Sequence, residues 1–114
     1  MADDVVYINT SEGLKRVMNN SKLFCTLLSK FKNDTHLSAI ETSVAEGDAE
    51  KAQAAAHTLK GLAANLSLIE LYKQIAEFES LLKTGNINTA LLETVKNTHA
   101  QTLLEVDKVI AQYA

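Results

Sequence analysis

Residues 54–66 read Ala54-Ala55-Ala56-His57-Thr58-Leu59-Lys60-Gly61-Leu62-Ala63-Ala64-Asn65-Leu66. At about 100° per residue, this stretch and the residues just before it describe an amphipathic helix. Ala52, Ala55, Leu59, Leu62 and Leu66 gather on one side, the expected core face. His57 then points roughly 160–200° away from that face, into solvent. Lys60 at i+3, Gly61 at i+4 and Ala64 at i+7 share the outer strip with it. Gly61 is the anomaly, because a glycine inside a helix costs about 1 kcal/mol relative to alanine. On an outer face it fills no core gap, so the physical reason left is close approach of another molecule to the backbone. An exposed imidazole, a neighbouring ammonium and a cleared surface suit a phosphoryl group delivered by another protein.

The elements on either side extend the helical reading. A short leading helix is expected from about Thr10 to Met18, ended by Asn19-Asn20. A second helix is expected from Ser21 towards Ala45, with Phe24, Leu27, Leu28 and Phe31 at helical spacing. Its stripe changes phase near Asn33-Asp34-Thr35, which predicts a bend or a change of neighbour. Gly47 followed by Asp48, a good N-cap, marks the turn into the helix of His57. That helix is expected to close at Asn65-Leu66-Ser67, where Asn65 tolerates a left-handed backbone and Ser67 with Glu70 matches a capping box. The next helix runs from Leu68 to about Lys83 on a stripe of Leu71, Ile75, Phe78 and Leu82. Gly85, Asn86 and Asn88 mark a turn into the last helix, whose expected stripe is Leu92, Val95, His99, Leu103, Val106, Ile110 and Tyr113. Four long amphipathic helices joined by short loops predict an all-α fold, an antiparallel four-helix bundle with a short additional N-terminal helix.

Composition sets the outer limits. The 114 residues contain no Pro and no Trp, and nothing linker-like divides them, so residues 1–114 read as a single helical domain. Net charge is −3, Arg16 is the only arginine and the lysines are scattered, which disfavours nucleic acid as a partner. Cys25 has no partner in the chain, so a disulfide scaffold is excluded; among Leu23, Phe24, Leu27 and Leu28 it reads as a small buried residue. No run approaches the roughly 20 apolar residues of a membrane span. Met1-Ala2-Asp3-Asp4 has neither the basic start nor the apolar stretch of a signal peptide, so a cytoplasmic location is expected.

The segment Ala56-His57-Thr58-Leu59-Lys60-Gly61, followed by Ala63-Ala64-Asn65-Leu66, resembles the signature of histidine-containing phosphotransfer (HPt) domains, the intermediate carriers of multistep two-component phosphorelays. The likeness extends to the leading helix, to Glu46-Gly47-Asp48 and to Leu71, Ile75 and Leu82, and so covers nearly the whole chain. One departure stands out: Ser67 occupies a position where such domains often have glycine. The resemblance implies that His57 accepts a phosphoryl group through Nε2 from a receiver-domain aspartate and passes it to another. It implies that Lys60 favours negative charge on the phosphoryl oxygens. Gly61 and Ala64 would let the receiver's loops come close. The implied partners are response-regulator receiver domains and a hybrid sensor kinase. No cofactor is expected on this chain, and Mg²⁺ belongs to the partner receiver domain.

If the third and fourth helices pair antiparallel, His57 lies level with residues 75–79, which makes Glu79 the polar candidate to orient its ring. His99, inside an apolar stripe, reads as a packed or partly buried core histidine, and His36 has neither a cation nor a cleared strip beside it. Metal binding is disfavoured because H-x-x-x-H and paired E-x-x-H patterns are missing. Walker and kinase motifs are missing too, so the chain is not expected to be an enzyme that uses ATP. The rival reading is a non-phosphorylated helical interaction module that binds receiver or kinase domains.

Overall fold

The computed structural model describes residues 5–113; residues 1–4, read above for a signal peptide, and Ala114 lie outside it. Six helices follow in order: α1 Thr10–Arg16, α2 Ser21–Lys32, α3 His36–Ala45, α4 Ala49–Asn65, α5 Ile69–Lys83 and α6 Thr89–Tyr113. The described residues contain no strand. They form an antiparallel helical bundle in which α2 and α3 together make one wall and α4, α5 and α6 the other three, with α1 against α2. Lys32 pairs with Asp107 and Glu41 with Lys96, so the α2–α3 wall runs antiparallel to α6.

The caps follow the sequence closely at most joints. Asn9, Asn20 and Asp48 each accept a backbone N–H three residues on, opening α1, α2 and α4. Gly47 and Gly85 adopt φ of 70° and 84°, the left-handed conformation that the two turns require. Gly13 has a different use. A Cβ there would meet the Phe24 ring at 2.6 Å, so glycine lets α1 sit directly on α2.

Four local expectations are corrected. The helix expected from Ser21 towards Ala45 is two helices, because the Asp34 carboxylate accepts from the His36 backbone N–H and starts a new one. The left-handed residue after α4 is Ser67, φ 56°, whereas Asn65 remains helical. Ser67 makes no capping box with Glu70 either; α5 has no side-chain N-cap bond, and the Ser67 hydroxyl donates instead to Glu12 at 2.8 Å. The α4 core face is Ala52, Ala56, Leu59 and Ala63, with Ala55 and Leu62 only half-buried. These alanines are small enough to let α3 and α5 close in, a fit that a helical wheel weighted by side-chain size misses.

Along α6 the buried line is Leu92, Val95, Thr98, Thr102, Val106 and Val109, while His99, Leu103, Ile110 and Tyr113 are half-buried. Thr102 tolerates full burial because its hydroxyl donates to the Thr98 carbonyl at 2.7 Å. Phe24, Leu59, Leu71, Ile75 and Phe78 are fully buried and join one core running through all the walls. Each such side chain contributes about 1.5–3 kcal/mol through burial, which makes a stiff frame for what α4 and α5 display.

Candidate functional site

From the centre of the core face formed by Ala52, Ala56, Leu59 and Ala63, His57 stands roughly 130° around α4, turned towards the flank that α5 covers. Its side chain is 68% exposed, and Nδ1 lies 3.1 Å from Oε2 of Glu79. Glu79 is 1% exposed, the one buried charge among the described residues. Such a group survives burial only when its oxygens are partnered. Three donors supply this from α4: His57, the Gln53 amide at 2.8 Å from Oε2, and the Lys60 ammonium at 2.7 Å from Oε1. The last contact is an ion pair rather than an aligned hydrogen bond. Lys83, one turn further along α5, adds a second cation at 3.8 Å from Oε2.

Burial pushes the Glu79 carboxyl towards its neutral form, but Lys60, Gln53 and His57 together outweigh it and hold its pKa down to about 2. In return, the contact with Glu79 raises the pKa of the Lys60 ammonium above the ordinary lysine value. An ionised carboxylate carries no hydrogen, so the hydrogen between it and the ring sits on Nδ1. In the neutral ring, the lone pair is then on Nε2, which no described residue hydrogen-bonds.

Of the residues singled out from sequence, the structure brings His57, Lys60 and Glu79 into one cluster. Gly61 lies exposed on the same outer side, with open space where a Cβ would stand. Ala64 is half-buried and lines a shallow groove of about 280 Å³ with Glu12, Arg16, Tyr72 and Lys73. Two members of the cluster escaped the sequence reading. Gln53 carried a usable signal, since Gln53, His57 and Lys60 recur at spacings four and three beside the core face. Lys83 stands at i+4 from Glu79, a pairing visible only once Glu79 is known to matter.

The other histidines lie elsewhere. His36 Nδ1 is 2.7 Å from Asp34, at the α2–α3 joint. His99 packs on Phe31 with ring centroids 5.6 Å apart, and its burial lowers its pKa against the opposing pull of Asp34 and Glu41. Cys25 is half-buried rather than buried. Among the described residues, no cluster of three or more His, Cys, Asp or Glu is placed to hold a metal ion, and no helix is long and apolar enough to cross a membrane.

An all-α bundle displaying one histidine against a buried, lysine-paired carboxylate defines a histidine-bearing helical module. Residues 28–111 match the family model described as Hpt domain, and the chain belongs to that family. Hpt domains are histidine phosphotransfer modules of phosphorelays; they act with receiver domains and have no ATP-using site of their own. No curated protein and no solved structure gives a significant match to the chain.

Proposed function

We propose that this chain is a phosphorelay carrier that accepts a phosphoryl group on His57 from a receiver-domain aspartate and passes it to another receiver's aspartate. The observation that carries the reading is the exposed side chain of His57, whose Nδ1 lies 3.1 Å from the buried Glu79 carboxylate. Nε2 attacks the phosphorus of the acyl phosphate, the P–O bond breaks, and its electron pair leaves on the aspartate carboxylate. The reverse step breaks the N–P bond and returns that pair to Nε2. Neither step needs a proton to leave Nδ1.

Lys60 lies one turn from His57, and Lys83 faces the same carboxylate from α5. Lys60, on the same outer strip as His57, would attract the oxygens of a phosphoryl group on Nε2. Mg²⁺ and the acidic pocket are assigned to the receiver. Gly61, with open space around it, and the groove beside Ala64 give the receiver's loops a surface to approach.

The test is transfer of label from a phosphorylated receiver to the wild-type chain and to His57→Gln. The wild type gains an acid-labile, base-stable label and the variant gains none. Equal labelling of the variant would move the acceptor to another residue.

A further inference from the structure

The carrier reading leaves one member of the cluster without a part. Gln53 has no hydrogen bond to the ring, yet its amide donates to Oε2 of Glu79 at 2.8 Å, the oxygen that also receives Nδ1 of His57. We propose that Gln53 is a positioning residue: it fixes the rotation of the Glu79 carboxylate, and through it keeps the hydrogen of His57 on Nδ1 and the lone pair on Nε2. The proposal rests on the carrier reading for its consequence but not for its geometry.

A carboxylate on a helix can turn about its last torsion, and that torsion is broad and two-fold. Lys60 alone would not select one orientation, because a long ammonium stem follows whichever oxygen is nearer. Gln53 does select one. It is half-buried, its amide is planar, and it stands one turn before His57 on the same helix. Two donors from α4 thus converge on Oε2 while the ammonium takes Oε1. With Oε2 fixed, donation from Nδ1–H is the arrangement that leaves neither group frustrated. If the carboxylate turned away, the ring could adopt either tautomer, and a ring with hydrogen on Nε2 cannot attack phosphorus through that atom.

Gln53 is also neutral. A lysine in its place would bring a third cation to a carboxylate already facing Lys60 and Lys83, the two charged side chains around it. An amide satisfies the oxygen without adding to that field. During transfer the N–P bond forms at Nε2 as the P–O bond breaks, and the Nδ1 hydrogen stays between the ring and Glu79 in both directions. The site therefore needs no proton exchange with water.

The experiment uses Gln53→Met, nearly isosteric but without donors, and Gln53→Ala as a second variant in case the thioether perturbs packing. The protein is labelled with ¹⁵N in histidine, and His57 is assigned by the signal lost in His57→Gln. Ring ¹⁵N shifts of the neutral ring report the tautomer directly. The wild type should show hydrogen mainly on Nδ1, and both variants should lower the Nδ1–H to Nε2–H ratio at least threefold. A wild-type ring with hydrogen mainly on Nε2, or an unchanged ratio in both variants, overturns the role of Gln53.

The second arm measures phosphorylation by phosphoramidate, a small donor that needs no receiver. Gln53→Met should slow labelling of His57 three- to tenfold with an unchanged half-saturating donor concentration. A change in half-saturation alone would show a binding role and overturn the proposal. Failure of the wild-type chain to take label from either phosphoramidate or a receiver would overturn the carrier reading instead, and the tautomer result separates the two.

Discussion

Replacing Glu79 by Gln keeps the shape of the side chain and removes the charge on which the site is built. The structure sets the size of the effect. The Glu79 carboxyl falls from the ordinary 4.5 to about 2 in the folded chain, and at about 1.4 kcal/mol per pH unit this bounds its contribution near 3 kcal/mol. Side chains of Lys60 and Lys83 are 27% and 59% exposed, so water screens them, and about 1–2 kcal/mol is the expected yield. The folded pKa is depressed, so this stability is fully present above pH 4.5 and is lost as pH falls from there towards 2. Urea unfolding of wild type and Glu79→Gln at pH 5.5, 4.5, 3.5 and 2.5 isolates the term, because every other carboxyl is common to both proteins. The wild type should lose about 1–2 kcal/mol more than the variant across that window. A difference between the two that does not change with pH would mean that Glu79 is not the buried, ion-paired carboxylate described here.

Substitutions at three further positions probe the frame and its face. Gly61→Ala has open space for its methyl group, so it should stabilise α4 by about 1 kcal/mol in urea unfolding; Gly61→Gln should remain folded but slow transfer, and unchanged transfer would remove the close-approach argument. Gly13→Ala drives a methyl group into the fully buried Phe24 ring and should destabilise the chain by about 1–2 kcal/mol despite its gain in helix propensity. Ser67→Gly relieves a left-handed residue but gives up the hydroxyl bond to Glu12, two effects of about 1 kcal/mol each that nearly cancel. Ser67→Ala keeps the backbone cost and loses the bond, and should melt below both the wild type and Ser67→Gly.

What the sequence disclosed and what it withheld follow from the range of each interaction. Caps and turns depend on neighbours within four residues, so Asp48, Gly47 and Gly85 could be read directly. The outer strip of His57, Lys60 and Gly61 needed only one helix and its period. The break at Asp34 was visible as a change of phase, but whether the chain would bend or restart depended on the Asp34 carboxylate reaching the His36 N–H. The true core face of α4 could not be chosen from α4 alone, because Ala56 and Ala63 are buried by how closely α3 and α5 approach. Thr98 and Thr102 look polar in sequence yet line the core, since the Thr102 hydroxyl finds a carbonyl within its own helix. Register placed Glu79 level with His57, but its burial and its partnership with Gln53 are products of two packed helices.

The carrier account stands or falls on where the phosphoryl group goes. The most direct measurement incubates the chain with a receiver domain labelled on its aspartate and maps the label by peptide analysis under alkaline conditions. Label on His57, returned to unlabelled receiver on its addition and absent from His57→Gln, is the predicted result. Label on His36 or His99, or equal labelling of His57→Gln, would contradict it.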